Sequence, residues 1–330
     1  MNAVDPTRTE SWKPADGSGW LSIERIRMFF PILVLLVLCV VFSIKSPRFL
    51  TFNNGMIVAQ QAAVLMVVST GMTFVIIAGS IDLSVGSIVA LSALTTAAAS
   101  DRMGQWAILP AALVGILCGL FTGVIVAKGK VPSFIVTLGA MVVFRGIVLY
   151  YTRGAPVSIN NEFFLDIYAS RTYGIPHSAM IAVLIAAAAA IVLGLAVFGR
   201  EVRAIGGGEK VARLTGINID RTKITMFAVL GLLSGIAGLL QAARNFAATS
   251  QLGEGLEMDV IASVVVGGTP LTGGIGSIHG TILGVLIITI LSNGMNMNGV
   301  DPYIQNIVKG IVLIAAVFIT IDRKKIGIIK

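Results

Sequence analysis

Charged and amide side chains are rare inside the long apolar segments of this chain, and each one is a candidate for a functional role. The ionisable residues in or beside these segments are Asp82, Arg145, Arg244, Glu257, Asp259 and Lys309, and the adjacent amides Gln60 and Gln61 begin one segment. Removing a charge from water is costly, so such a side chain usually binds a ligand, pairs with another charge or faces water. We predict that six of these residues line a polar path through the apolar interior: Gln60, Gln61, Asp82, Arg145, Arg244 and Glu257.

Three of these predictions have a structural alternative. Asp82 stands in the sequence SIDLS, where its carboxylate would accept backbone N–H bonds at the start of a helix near Ser84. Gln60 and Gln61 would instead bond across neighbouring helices and hold them together, which is a common role of amides in apolar helices. The residue types and spacings leave both roles open at these positions.

The residues needed for nucleotide chemistry or catalysis do not form a recognisable set. A phosphate-binding loop requires G-x-x-x-x-G-K-[ST], and the nearest stretch, Gly123 to Lys130, has different spacing and no Ser or Thr after the lysine. Two histidines and two cysteines are too few for a nucleophile–base–acid set or for a His- or thiolate-based metal site. We therefore predict that the chain is not an enzyme and binds no cofactor or metal itself.

The composition indicates a polytopic membrane protein. The 330 residues are 56% hydrophobic and only 12% charged, whereas a soluble domain is about 25% charged. The net charge of +8 could indicate nucleic-acid binding. The positive residues, however, are concentrated in short segments between apolar runs, as expected from membrane topology. We predict an all-α fold and no nucleic-acid partner.

Apolar runs of about 20 residues, the length of a bilayer-spanning helix, recur along the chain. One further run, Met258–Gly267, is apolar but short, and it is either a tilted crossing or half of a broken helix. The long runs are Met28–Ile44, Asn54–Gly79, Ser84–Ser100, Trp106–Lys128, Val131–Thr152, Ser178–Phe198, Ile224–Ala243, Ser277–Met297 and Pro302–Ile321.

The distribution of Lys and Arg predicts the topology. The positive charges are concentrated in the N-terminal tail, at Lys128 and Lys130, in the loop Gly199–Lys223 and at the C-terminus, and short basic segments stay in the cytoplasm. Both termini are then cytoplasmic, so the number of crossings is even and Met258–Gly267 makes ten. A nine-span alternative would place Arg323–Lys325 outside. We predict a disordered cytoplasmic tail 1–27, a single transmembrane domain 28–322 and a cytoplasmic C-terminus 323–330.

Glycines recur every four residues in two of the apolar runs. This spacing aligns small faces and lets helix backbones approach closely. The contacts are predicted to lie within one bundle, and contacts between two copies of the chain are the alternative. The glycines concerned are Gly115, Gly119 and Gly123 in one run, and Gly280 and Gly284 in the other with Gly276 directly before it.

Two Gly- and Ser-rich turns resemble each other, Ala78–Leu91 and Gly267–Leu283. Each turn joins two apolar segments, and in the ten-span topology both face the same side of the membrane. An internal duplication, as in many transporters, is one interpretation, and shared composition is the other.

The loop Gly199–Lys223 is the longest polar interruption between apolar runs and carries six of the 24 Lys and Arg residues. Its run Glu209–Leu214 favours a short helix, and Gly216 would end that helix. A short amphipathic helix on a cytoplasmic loop suits docking into a groove of another protein. The alternative is a solvated basic loop.

This loop resembles the cytoplasmic coupling loop of permease subunits in ATP-binding cassette importers of the ribose/xylose type. Lys210, Val211, Ala212 and Gly216 stand where that family has its degenerate E-A-A-x-x-x-G signature. The resemblance covers roughly Asn54–Asp322 and includes, in order, Ala78–Ser87, Val131–Gly146, Glu257–Gly284 and the pattern formed by Asn293, Gly294, Gln305, Lys309 and Gly310.

The resemblance implies a multi-pass permease of the inner membrane that forms a homodimer, or a heterodimer with a related chain. It implies a cytoplasmic ATPase with two fused cassettes, which would hold ATP and Mg, and a periplasmic sugar-binding protein that delivers a neutral sugar. An ion-coupled secondary transporter and a passive channel are the alternatives. The residues implied to contact the ATPase are Gly199, Arg200, Glu201, Arg203, Ala204, Glu209, Lys210, Ala212, Arg213 and Gly216.

Overall fold

The computed structural model describes residues 23–320, and for residues 23–29, 165, 167–169, 319 and 320 it describes only the backbone. The predicted tail up to residue 22 and the predicted C-terminal segment 323–330 lie outside the described residues. The first helix already begins at Ile23, five residues before the predicted first span.

Helices account for most of the described chain, and they follow the predicted apolar runs closely. A 3-10 turn, Gly104–Ala107, joins the third and fourth helices. The helices are α1 Ile23–Lys45, α2 Phe52–Ile77, α3 Val85–Met103, α4 Ile108–Gly129, α5 Ser133–Thr152, α6 Glu162–Ala169, α7 His177–Leu195, α8 Val197–Gly207, α9 Glu209–Leu214, α10 Ile219–Asn245, α11 Leu256–Val266, α12 Ile278–Met297 and α13 Pro302–Thr320.

Four two-residue strands interrupt the otherwise helical structure of the described residues. They pair antiparallel in two ribbons. One ribbon joins the connection between α5 and α7 to the residues that follow α10, and the other lies within that connection. The strands are β1 Val157–Ser158 with β4 Ala247–Ala248, and β2 Arg171–Thr172 with β3 Ile175–Pro176.

By length and composition, six helical segments of the described chain can cross a membrane. One of them, Val85–Gly129, contains both α3 and α4, and two shorter apolar helices, Phe30–Lys45 and Pro302–Phe318, accompany them. A multi-pass helical membrane protein is therefore confirmed, whereas ten crossings with both termini in the cytoplasm stays a prediction.

Helix α2 forms the centre of the bundle. Its most apolar stretch is 89% buried, against 22% in α5 and 28% in α7. A helix that is apolar on all sides is stable where other helices surround it. Helices α5 and α7 instead expose large side chains such as Val142 and Leu184, which suits a surface that faces lipid.

Glycine faces bring α4 and α10 into close contact. A β-carbon at Gly115 would collide with the carbonyl oxygen of Gly231, and one at Gly119 with the carbonyl oxygen of Phe227. A β-carbon at Gly123 would lie 2.9 Å from the Cβ of Phe227. These helices therefore pack backbone against backbone, which increases their van der Waals contact without any hydrophobic driving force from water.

The second glycine run packs α12 against α11 and the segment that follows it. A β-carbon at Gly280 would collide with the carbonyl oxygen of Gly267, and one at Gly284 with that of Ser263. A β-carbon at Gly276 would lie 2.7 Å from side-chain atoms of Ile77 and Thr269. Both glycine runs thus make contacts within the chain.

Helix α11 is a half-length helix with non-helical backbone on both sides. Its 11 residues extend about 16 Å at 1.5 Å per residue, roughly half of a bilayer core of about 30 Å. The preceding segment enters the bundle, since Leu252 is 4% exposed, and the following segment reaches the end of α2. Irregular backbone inside a membrane protein occurs where protein or a water-filled cavity surrounds it, as in the broken helices of transporters.

The two similar turns meet in space. The Gly274 N–H donates to the carbonyl oxygen of Ile77 at 2.8 Å, and a β-carbon at Gly273 would lie 2.8 Å from the Gly79 nitrogen. Both turns therefore lie at one end of the bundle, as the sequence predicts. The internal duplication itself stays an interpretation.

Candidate functional site: a polar cavity and a coupling segment

A cavity of about 260 Å3 with many polar side chains lies among α2, α10, α11, α12 and α13. Its apolar lining comes from Val64, Leu65, Leu256 and Ile288. Its polar lining comes from Gln61, Gln241, Arg244, Asp259, Thr289, Ser292, Asn296, Gln305 and Lys309.

The cavity lies towards the end of the bundle opposite the two similar turns. Gln241 and Arg244 belong to the last turns of α10, and Asn296 belongs to the last turn of α12. Gln305 and Lys309 lie in the first turns of α13. On this side of the bundle, α2 and α12 are joined by a buried amide pair, in which Asn54 and Asn293 each donate to the other at 3.1 Å.

An ion pair forms one wall of the cavity. The Lys309 ammonium lies 2.8 Å from the Asp259 carboxylate, and their side chains are 22% and 24% exposed. The pair joins α11 to α13, and it also lines a neighbouring cavity of about 380 Å3. Pairing reduces the cost of keeping two charges inside the bundle.

Several side chains of the cavity are free to bind a ligand. Within the described part of the chain, the side chains of Gln61, Gln241 and Arg244 make no hydrogen bond or ion pair. Gln305 is different, because its amide donates to Asn296 at 2.7 Å and to the Val300 carbonyl at 2.9 Å. The cavity therefore combines fixed polar groups with uncommitted donors and acceptors.

The other predicted path residues do not line this cavity. Arg145 donates to the carbonyl oxygens of Ser250 at 2.5 Å and Leu252 at 2.8 Å. It thereby satisfies backbone groups of the non-helical segment before α11, which would otherwise be unpaired inside the bundle. Gln60 also lies outside the cavity lining. Glu257, in the first turn of α11, lies so close to α3 that a β-carbon at Gly86 would be 2.5 Å from its carboxylate.

Asp82 organises the turn that precedes α3. It is fully buried, and one carboxylate oxygen accepts the Ser84 N–H at 2.7 Å and the Ser84 hydroxyl at 2.6 Å. These bonds close a turn two residues before α3. The N-cap residue of α3 is Ser84, and no described side chain caps the first N–H groups of the helix, so the expected helix-start cap by Asp82 is not formed.

The sequence reasoning did not select five polar residues of the cavity as a site. A signal was present, because Gln241 and Arg244 are three residues apart and Gln305 and Lys309 are four residues apart, so each pair shares a helix face. What the spacing does not show is that these two faces meet. The residues missed are Gln241, Thr289, Ser292, Asn296 and Gln305.

The segment Gly199–Lys223 contains most of α8, all of α9 and the start of α10, and it lies at the end of the bundle opposite the cavity. Helix α8 buries Val202 and Ile205, and a β-carbon at Gly206 would collide with the carbonyl oxygen of Ile77. Helix α9 occupies Glu209–Leu214, the run in which the sequence favours a helix. Gly216 has a φ of +85°, and the following N–H of Ile217 donates back to Ala212 at 3.2 Å, which is a typical glycine-terminated helix end.

Polar contacts fix these two helices to the start of α10. The Lys223 ammonium lies 2.8 Å from the Glu209 carboxylate on α9, and the Thr222 hydroxyl donates to Glu201 on α8 at 2.8 Å. Helix α10 continues from these contacts to the cavity, where Gln241 and Arg244 lie in its last turns.

The outer face of α9 carries exposed apolar side chains between charges. Val211 is 66% exposed and Leu214 is 87% exposed, and Arg213 and Glu209 beside them form a loose ion pair at 3.8 Å. Exposed apolar residues rimmed by charge are typical of protein-interaction surfaces.

A bundle of apolar helices with a polar cavity near one end is an architecture found in membrane-transport proteins. The family described as "Branched-chain amino acid transport system / permease component" matches residues 56–317. The chain therefore belongs to this permease family.

Individual relatives cover nearly the whole chain. The ribose import permease protein RbsC of Escherichia coli K12 is 39% identical over 97% of this chain and 99% of its own length. RbsC of Bacillus subtilis 168 is 41% identical over 89% of this chain and 92% of its own length. The xylose transport system permease protein XylH of Escherichia coli K12 is 32% identical over 98% of this chain and 100% of its own length. No solved structure matches the chain. The resemblance to ribose/xylose-type permeases that the sequence motifs indicate is thus confirmed.

Proposed function

We propose that this chain is the membrane-spanning subunit of an importer for a neutral monosaccharide such as ribose or xylose, and that a separate ATPase drives it. The observation that carries this proposal is the near full-length similarity to ribose and xylose permeases. The fold agrees with it, because a polar cavity and a segment suited to docking lie at opposite ends of one helical bundle. An ion-coupled transporter and a channel would not need such a segment.

The ATPase docks on α8 and α9, the coupling segment. The exposed Val211 and Leu214 supply apolar contact area, and the neighbouring Arg213 and Lys210 supply charge that orients the partner. The contact residues proposed from the sequence, Gly199 to Gly216, divide into buried ones such as Ala212, which shape the helices, and exposed ones, which touch the partner. ATP and Mg bind to the ATPase, which carries two fused cassettes.

The proposed topology has ten crossings with both termini in the cytoplasm, in the inner membrane. The described helices support it, since α11 with its non-helical flanks reaches from inside the bundle to the end where the coupling segment lies. Positive residues cluster at that same end, as the positive-inside rule requires of a cytoplasmic face.

Two such chains, identical or closely related, form the complete pore, and a periplasmic sugar-binding protein delivers the cargo. ATP binding closes the cassettes and moves the docked segment, and the contacts of α8 and α9 with α10 pass this movement to the bundle. The ligand acts on a partner chain and biases a two-state equilibrium of the pore.

A charge reversal on α9 tests the docking. Arg213→Glu changes an exposed side chain whose ion pair with Glu209 is weak at 3.8 Å, so insertion should be normal while co-purification of the ATPase is lost. Arg171→Glu, an exposed arginine in the connection between α5 and α7, is the matched control and should keep the ATPase bound. Equal co-purification of both variants would contradict the docking assignment.

Reconstitution separates the three classes of transport. Proteoliposomes that contain the chain, its ATPase and its binding protein should accumulate sugar only with ATP. Uptake driven by an ion gradient without ATP would instead identify a symporter, and passive leak would identify a channel.

A further inference from the structure

We propose that the cavity between α2, α10, α11, α12 and α13 is a binding site for one neutral monosaccharide within a single subunit. This inference rests on the proposed function, and it names the place where the cargo is held. The cavity measures about 260 Å3, just below the roughly 300–1,000 Å3 of pockets that hold drug-sized ligands. A single pentose or hexose is smaller than such ligands.

The chemistry of the lining matches a polyol. Four amides and two hydroxyls offer both donors and acceptors, as a ring with several hydroxyl groups requires. Apolar atoms of Leu65, Leu256 and Ile288 lie in the same cavity and can pack against the C–H face of a sugar. The six neutral polar residues are Gln61, Gln241, Thr289, Ser292, Asn296 and Gln305.

The charges of the cavity disfavour a cation and leave one positive hydrogen-bond donor for a ligand. Asp259 and Lys309 already neutralise each other at 2.8 Å, which leaves Arg244 as the one uncommitted charge among the lining residues that the structure describes. The ion pair can still accept from and donate to sugar hydroxyls, because charged groups form stronger hydrogen bonds than neutral ones.

The free amides on two helices should determine specificity. Gln61 on α2 and Gln241 on α10 make no hydrogen bond within the described part of the chain, so a bound sugar would satisfy them. Replacement of either by Leu keeps the approximate volume and removes the donors and acceptors. Loss of one neutral hydrogen bond should weaken binding roughly 3- to 10-fold.

The test measures binding and transport separately. Saturation-transfer-difference NMR with millimolar D-ribose, D-xylose and ribose 5-phosphate is recorded on the purified chain in lipid nanodiscs. We expect the two neutral sugars to give signals that Gln61→Leu and Gln241→Leu weaken, while Gln105→Leu, the same change on an exposed residue outside the cavity, leaves them intact. A signal from the phosphorylated sugar alone, signals unaffected by the variants, or no signal from the wild-type chain would each overturn the proposal.

ATP-driven uptake by the reconstituted complex distinguishes this inference from the proposed function. If the wild-type complex imports sugar and both cavity variants import it at the wild-type rate, the function stands and the binding site is wrong. If the wild-type complex imports no sugar, the proposed function itself fails. Monodisperse elution of each variant in size-exclusion chromatography shows that the replaced side chain, and not misfolding, causes a loss.

Discussion

The ion pair between Asp259 and Lys309 should contribute more to stability than an equally short pair near water. At 2.8 Å and an effective dielectric constant of about 20, the direct attraction is about 6 kcal/mol. Desolvation of two ions costs several kcal/mol, but both side chains remain about one quarter exposed, so part of that cost is avoided. We expect a net coupling energy of about 1–3 kcal/mol, which is the remainder of these opposing terms.

A double-mutant cycle measures this coupling. The variants are Asp259→Asn, Lys309→Met and the double variant, and the free energy of unfolding is measured in mixed micelles of detergent and SDS. Lys309→Met alone should be the most harmful, because it leaves the Asp259 carboxylate without its partner inside the bundle. The double variant should recover part of the loss.

The pair between Glu209 and Lys223 is the control, since its N–O distance is also 2.8 Å and its lysine is similarly buried at 15% exposed, but its glutamate side chain is 48% exposed. For that pair we expect a coupling energy of about 0.2–1 kcal/mol. If the Asp259–Lys309 coupling is no larger than the control, or if its two single variants add without interaction, burial does not strengthen the pair as argued.

Two further predictions concern packing and backbone satisfaction. Gly115→Leu should lower the free energy of unfolding by more than about 2 kcal/mol, because the new side chain would collide with the Gly231 backbone. The control Gly139→Leu has open space around it and should change this free energy little. Equal effects of the two variants in SDS unfolding would contradict close packing of α4 on α10. Arg145→Met should leave the carbonyl oxygens before α11 unpaired and lower the free energy of unfolding by about 1–3 kcal/mol. Proteolysis near Leu252 should become faster in this variant. An unchanged cleavage pattern and an unchanged stability would show that water satisfies these carbonyl groups instead.

The positions of the helices were predictable because lipid imposes a simple requirement. A chain that crosses a bilayer must satisfy its backbone within each segment, so a run of about 20 apolar residues specifies a helix. The predicted span Ser277–Met297 and the observed α12, Ile278–Met297, differ by one residue. Helix α9 was equally predictable, since Glu209–Leu214 consists mainly of helix-forming residues and Gly216 ends the helix.

The cavity was only partly predictable. Of the six path candidates, Gln61 and Arg244 line it, while Arg145 supports backbone carbonyls and Asp82 organises a turn. A polar residue in an apolar helix stands out in the sequence, but its partner does not. Arg145 and Leu252 are 107 positions apart, and the sequence pattern of neither segment refers to the other.

The sequence by itself therefore determined the class of protein, the approximate positions of the long helices, the short helix α9 and the family, because each depends on local composition or on an ordered set of motifs. Only the tertiary structure decided which polar side chains share a cavity, and that α11 is a half-length helix joined to α13 through Asp259 and Lys309. The physical reason is that lipid and a helix interface are both apolar. An apolar pattern therefore predicts that a helix lies in the membrane, but it does not predict which face of the helix contacts neighbouring helices.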